Sequence, residues 1–386
     1  MLGCNSLKVM VQKYWFRGPT WPTGQNFACL LPACILALAL QAGTANGAGG
    51  SCSPTNLVPT VTSPSSGFSL ASGFPVSLRV TVVDNCGNAI MNASVIATFS
   101  NGDSAIALSY LGNGNYAGTW TPTNVSAQVT VQFNVASPVG LTGAVVTVTV
   151  GSSSTSGPII SAGGVVDSAS FSTKPLSPGG IFSIFGTNLA ASTSQAGTVP
   201  LPTTLLGTSV IVGGIQAPLF FISPGQINAM LPYELNPGQS YQIIVGSGSA
   251  LSLPVAITVA AVDPGILAYG QNQVIATDAN FSLIGPSNPA QAGDFLTMYC
   301  LGLGAVSTAV VDGAGSPSDP LAITVNQATV TVGTQTATVL FAGLTPTAVA
   351  LYQINFQVPA GTASGEVPVT ISVGGQTSVA VNLAVQ

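Results

Sequence analysis

Between residues 58 and 150 the chain alternates apolar and polar side chains in short runs. The clearest is Val76-Ser77-Leu78-Arg79-Val80-Thr81-Val82-Val83, followed by Ala93 to Phe99, Ala105 to Tyr110, Val129 to Val135 and Ala144 to Val150, each bounded by Gly, Asn or Pro. A period of two sends one side chain inward and the next outward, and turn residues at such short intervals fit the antiparallel strands of a two-layer sandwich. The pattern predicts an all-β fold.

The stretch Gly151-Ser152-Ser153-Ser154-Thr155-Ser156-Gly157-Pro158 has nothing apolar to bury and reads as a flexible linker. Beyond it the chain repeats itself. Ile181-Phe182-Ser183-Ile184-Phe185-Gly186-Thr187-Asn188-Leu189 matches Phe295-Leu296-Thr297-Met298-Tyr299-Cys300-Leu301-Gly302-Leu303, and the run Val210 to Phe221 matches Val330 to Phe341. Gln226-Ile227-Asn228 then recurs as Gln353-Ile354-Asn355, each followed by a Pro, a Gly turn and two further alternating runs. The order of features predicts a strand, a hairpin around Gly213 or Gly333, a loop carrying Gln-Ile-Asn, and two closing strands. The expected organisation is a leader over 1–45, a sandwich over 52–151, a linker over 152–162, and sandwiches over 163–262 and 263–386.

Asn113-Gly114-Asn115-Tyr116 before a strand resembles the tyrosine corner of immunoglobulin-like domains, and with Val83-Asp84-Asn85-Cys86-Gly87-Asn88 it resembles the bacterial immunoglobulin-like modules of surface proteins. The duplicated part is similar to the IPT/TIG immunoglobulin-like fold. Leu176-Ser177-Pro178-Gly179-Gly180, Ile184-Phe185-Gly186-Thr187-Asn188-Leu189, Ala217-Pro218-Leu219-Phe220-Phe221, Leu231-Pro232-Tyr233-Glu234 and Leu351-Tyr352-Gln353-Ile354-Asn355 resemble the uncharacterised C-terminal domain of exported proteins in Solibacter-type acidobacteria. Cys300-Leu301 departs from the small and hydroxyl residues expected before Gly302-Leu303-Gly304. The resemblance implies three tandem immunoglobulin-like sandwiches and export, and carries no agreed activity.

Lys8, Lys13 and Arg17 precede the apolar run Phe27 to Leu40, and small residues follow. That is a secretory signal pattern, with cleavage after Ala45 or Ala42; an uncleaved anchor is the alternative. Export permits a disulfide, and Cys52 with Cys86 is the expected pair, Cys300 being a buried, inert thiol.

Charged residues form only 4% of the chain, so its surface is built of hydroxyls and amides. The formal net charge is −5 and no basic patch exists to neutralise phosphates, which disfavours nucleic acid as a partner. Beyond residue 45 no run is long enough for a membrane-spanning helix.

The chain has no histidine. That removes Ser-His-Asp and Cys-His nucleophilic systems, imidazole bases and nearly all catalytic zinc sites. Paired carboxylates remain, as in glycoside hydrolysis. However, the acids Asp84, Asp103, Asp167, Glu234, Asp263, Asp278, Asp294, Asp312, Asp319 and Glu366 nearly all neighbour Gly, Pro or Asn, where a carboxylate caps a turn. Asp312 and Asp319, in a Gly- and Ser-rich loop, form the calcium candidate, although Asp-x-Asp-x-Asp spacing is missing. Gln226, Asn228, Gln353 and Asn355 are the candidate ligand contacts, since amides suit sugar hydroxyls; the competing reading has them satisfying backbone groups. Trp120, in strand register, is expected in the core.

The resulting expectation is an exported structural or adhesion protein without enzyme activity or cofactor. Its partner would be an extracellular polymer, a cell-surface protein or a second copy of itself. A carbohydrate-binding accessory protein is the alternative, and a glycoside hydrolase the remote one.

Overall fold

In a computed structural model the described residues are 52–386, apart from 71–72, 124–127, 138–139 and 153–156. The expected leader therefore lies outside them. The described residues form strands and turns with no helix, grouped around three separate hydrophobic cores: Leu57 to Val150, Ile160 to Val259 and Val262 to Val385. Each core is filled from two facing layers of strands, so each is a β-sandwich, and the fold is all-β and immunoglobulin-like.

In the N-terminal sandwich, β1 (Leu57–Ser63), β2 (Val76–Asp84), β4 (Ser109–Gly112) and β5 (Asn115–Trp120) form one sheet. The opposing sheet holds β3 (Ser94–Phe99), β6 (Gln128–Ala136) and β7 (Ala144–Ser152). The alternation is literal. Val76, Leu78, Val80 and Val82 on β2 meet Val129, Val131, Phe133 and Val135 on β6, and the residues between them face outward. Each of these fully buried side chains contributes about 1.5 to 3 kcal/mol.

The first copy of the duplicated unit holds β8 (Ile159–Asp167), β9 (Ile181–Thr187), β10 (Thr208–Val212), β11 (Ile215–Gln216), β12 (Leu219–Ile222), β13 (Gln226–Met230), β14 (Ser240–Ser247), β15 (Ala250–Leu251) and β16 (Val255–Thr258). β8, β9, β13 and β12 make one layer, and β10, β14 and β16 make the other. β7 runs to Ser152 and β8 begins at Ile159, so ordered strand occupies the last residues of the segment 152–162.

The second copy repeats the plan with β17 (Ala276–Thr277), β18 (Phe295–Leu301), β19 (Thr329–Val332), β20 (Gln335–Leu344), β21 (Tyr352–Gln357), β22 (Gly365–Val373) and β23 (Val381–Val385). β9 pairs β13 with Ser183 opposite Asn228, and β18 pairs β21 with Thr297 opposite Asn355. Even the bulge recurs, between Leu219 and Phe221 in one copy and between Val339 and Phe341 in the other.

One of the differences between the copies bears on strand continuity. Pro218 stands where the second copy has Thr338. Proline has no N–H for a ladder, so β11 and β12 are two short strands in different sheets. In the second copy β20 runs unbroken from β19 to β21 and joins both layers into one continuous sheet.

Hydrogen bonds tie neighbouring sandwiches together. Ala250 on β15 pairs with Val76 on β2, Ser77 N–H donates to Ser249 O (2.9 Å), Leu251 N–H donates to Pro75 O (2.9 Å), and Ser63 Oγ donates to Ser249 Oγ (3.0 Å). One sheet thus crosses from the N-terminal sandwich into the first copy.

Candidate functional site

The recurring Gln-Ile-Asn motif lies on strands, β13 and β21, and not in a loop as its flanking Pro and Gly residues predict. Ile227 and Ile354 point into the cores while the amides take the other face. There Gln226 Nε2 donates to Asn228 Oδ1 (2.8 Å) and Gln353 Nε2 to Asn355 Oδ1 (3.2 Å). Ser183 Oγ also donates to Asn228 Oδ1 (3.1 Å) and pairs with Ser168 Oγ at 2.8 Å. Each Gln–Asn pair bonds along one strand, at positions two apart, and in the first copy Ser183 reaches Asn228 from the neighbouring strand. An aromatic flanks the ladder in both copies, Phe185 opposite Gln226 and Tyr299 opposite Gln353.

The acidic residues sort by environment. Asp84 accepts from Cys86 N–H (2.8 Å), Asn88 N–H (2.9 Å) and Asn88 Nδ2 (2.8 Å), and the Asn88 side chain leads in holding its carboxyl below the usual range. Asp278 and Asp294 likewise accept backbone N–H groups of their own turns. Asp103 has another task. It accepts from Trp120 Nε1 (2.8 Å), Thr123 Oγ1 (2.5 Å) and Asn101 Nδ2 (2.8 Å), and these bonds outweigh its burial to keep it ionised. Trp120 itself is in the core, stacked on Phe99 with centroids 4.3 Å apart.

Asp312 leaves its own sandwich. Its Oδ1 accepts from Tyr233 N–H (3.0 Å) in the first copy, Gly313 O accepts from Leu201 N–H (2.8 Å), and Gly313 N–H points at Met230 Sδ (3.3 Å). Burial pushes the Asp312 carboxyl up to about 6; the Tyr233 bond opposes this and the neighbouring Glu234 carboxyl adds to it. The loop read as a calcium candidate is thus a clasp between the copies. Among the described residues no group of three or more His, Cys, Asp or Glu converges as a metal would require.

Asp167 and Asp263 form a second acidic pair. Asp167 is wrapped by Ala169 N–H, Ser170 N–H and Ser170 Oγ, and Asp263 has Lys174 Nζ at 4.0 Å. Burial first, and then the charge of Asp167, push Asp263 up to about 7 against the pull of Lys174. Both line a cavity of about 10 Å³ with Ser177, at the lower limit for one water and far too small for a sugar ring. A cleft of about 340 Å³ between the N-terminal sandwich and the first copy is lined by Phe68, Phe74, Pro75, Pro158 and Pro224 among others, with no titratable side chain. Room and acid–base chemistry therefore do not coincide in either cavity.

Cys52 and Cys86 are both disulfide-bonded. Cys300 is free and fully buried, and burial pushes its thiol well above the usual range, leaving little thiolate to react. No helix among the described residues is long and apolar enough to cross a membrane.

Fold and site together define a class: an array of immunoglobulin-like β-sandwiches. No family model matches the chain, and no curated protein matches it. Among solved structures it is similar to an engineered protein (24% identity over 26% of this chain and 21% of that one, TM-score 0.21) and to fibronectin(III)-like modules of Clostridium thermocellum CbhA (18%, 53% and 94%, TM-score 0.20). It is also similar to invasin, a bacterial integrin-binding protein (14%, 86% and 60%, TM-score 0.20). The chain thus spans about a fifth of the first of these and three fifths of the last. At such TM-scores these likenesses carry no weight for function.

Proposed function

We propose that this is an exported, non-catalytic protein of the cell surface or extracellular space, in which tandem immunoglobulin-like modules hold and present a contact surface to an extracellular polymer, a cell-surface protein or a second copy. The secretory pattern of residues 1–45 and the resemblance to the Solibacter-type exported domain belong to this reading.

The carrying observation is that five of the ten carboxylates outside the leader pattern are bonded into turns, the core or the contact between copies. Turns use Asp84, Asp278 and Asp294, the Trp120 indole uses Asp103, and the clasp between copies uses Asp312. A chain with no histidine and half of its acids so engaged supports a binding or scaffolding role over an acid–base one. The disulfide-bonded state of Cys52 and Cys86 supports an oxidising compartment.

The test is fractionation of the producing cell followed by binding assays with the purified chain. Recovery in surface or medium fractions, with binding to cells, matrix polymer or itself, is expected. A cytoplasmic chain that binds none of these overturns the proposal.

A carbohydrate-binding role is the second reading. It is favoured by the part-exposed Phe185 beside Gln226 in the first copy, whereas the corresponding Tyr299 of the second copy is buried.

A further inference from the structure

Outside the matched segments noted above, the two copies share one more feature, at the turns after β8 and β17. Asp167 closes β8 and Asp278 follows β17, with Val166 opposite Ser183 and Thr277 opposite Thr297, so the two aspartates occupy equivalent places. Both turns close alike. Asp167 N–H donates to Ser172 O (3.2 Å) and Phe171 N–H to Asp167 O (3.1 Å); Asp278 N–H donates to Ser282 O (3.0 Å) and Phe281 N–H to Asp278 O (3.0 Å). Each aspartate carboxylate also accepts N–H groups from within its own turn, three at Asp167 and two at Asp278.

At the tip of each stands a phenylalanine with positive φ, 56° at Phe171 and 61° at Phe281. Glycine or asparagine adopts this conformation with little penalty, whereas for a bulky side chain it is an outlier. The rings gain little burial in exchange. Phe171 is 44% exposed and tilted against Phe185 at 6.3 Å, and Phe281 is 64% exposed. Twice, at equivalent turns, the chain places a solvent-facing aromatic in a conformation that a small residue adopts with less strain.

The surroundings indicate what the rings can contact. Ser170 and Ser172 flank Phe171 with their hydroxyls held on Asp167, Phe185 beside it lies opposite Gln226, and Asn280 and Ser282 flank Phe281. Hydroxyls and amides beside an exposed ring match the apolar face and hydroxyl rim of an uncharged sugar. A lipid surface fits poorly, since each ring has a carboxylate in its own turn and the nearby cation, Lys174, lies 4.0 Å from Asp263. Resting on the non-catalytic binding role proposed above, we infer that Phe171 and Phe281 are paired aromatic contact points for a neutral polysaccharide, one presented by each copy.

The experiment separates this role from a structural one. Phe171→Asn and Phe281→Asn each remove a ring while relieving the backbone, so both variants, and the double variant, unfold at or above the melting temperature of the parent. Retention of the full chain is measured on microcrystalline cellulose and chitin and by affinity electrophoresis in soluble starch, xylan and laminarin, with phosphatidylcholine vesicles alongside. At least one polysaccharide is expected to retain the parent, each single variant to bind about tenfold more weakly, and the double variant to fall to background. Four results would overturn the inference: no retention on any polysaccharide, retention unchanged in the double variant, a lowered melting temperature in the Asn variants, or ring-dependent binding to the vesicles alone. A chain that binds cells or itself but none of the polysaccharides removes this inference and leaves the adhesive reading intact.

Discussion

The hydroxyl of Tyr116 gives the sharpest test of how the N-terminal sandwich is held. It donates to Ile90 O (2.8 Å) and accepts from Ala93 N–H (2.9 Å), joining β5 to the connection that leads into β3. Tyr116→Phe keeps the buried ring and deletes only the oxygen, so two backbone groups in a partly buried connection lose their partner together. At roughly 1 kcal/mol for each lost bond, the sandwich loses about 2 kcal/mol. For a domain of this size the urea slope is about 2 kcal/mol per molar, so the midpoint falls by about 1 M. The transition is followed through the fluorescence of Trp120, with Trp15 and Trp21 replaced by Phe. Tyr110→Phe is the control, because Tyr110 is exposed and its ring lies 5.3 Å from that of Tyr116. A Tyr116→Phe midpoint no lower than that of the control refutes the assigned role of the hydroxyl.

Three further outcomes are expected. Asp263 and Asp312 are held at about 7 and about 6, above their unfolded value, so the folded chain binds more protons than the unfolded one between about pH 4 and 7. Stability contributed by these groups is therefore present at low pH and lost as pH rises through that window; melting curves from pH 4 to 8 should show it, and Asp263→Asn should flatten the slope. Gly302 has φ of +71° and its added Cβ would collide with the backbone oxygen of Asp263, so Gly302→Ala forces backbone movement and should cost about 3 kcal/mol or more in chemical denaturation. Cys300 should resist alkylation in the native protein and react once urea unfolds it, as peptide mass spectrometry would report; rapid native labelling contradicts its burial.

How far the sequence reading carried depended on how local each feature is. Tyr116 was legible as a bonded tyrosine, but its partners 23 and 26 residues back were not, because they belong to another connection brought near by sheet packing. The turn chemistry of Asp84 was legible because donors and acceptor lie within four residues. Asp312 read first as a turn residue and only second as a cation ligand, and its bond from Tyr233 N–H, 79 residues away, lies beyond the reach of any local pattern.

Strand positions, the three cores, the hairpins at Gly213 and Gly333 and the place of Trp120 in the interior all follow from the sequence, since a two-residue period and a glycine turn act over a few positions. Tertiary structure alone decided that Gln-Ile-Asn sits on central strands, that β15 joins β2 across two sandwiches and that the Asp312 loop clasps the first copy. Those outcomes depend on surfaces meeting across long separations in the chain, and an alternating pattern tells each strand which face is inward but not which strand lies beside it.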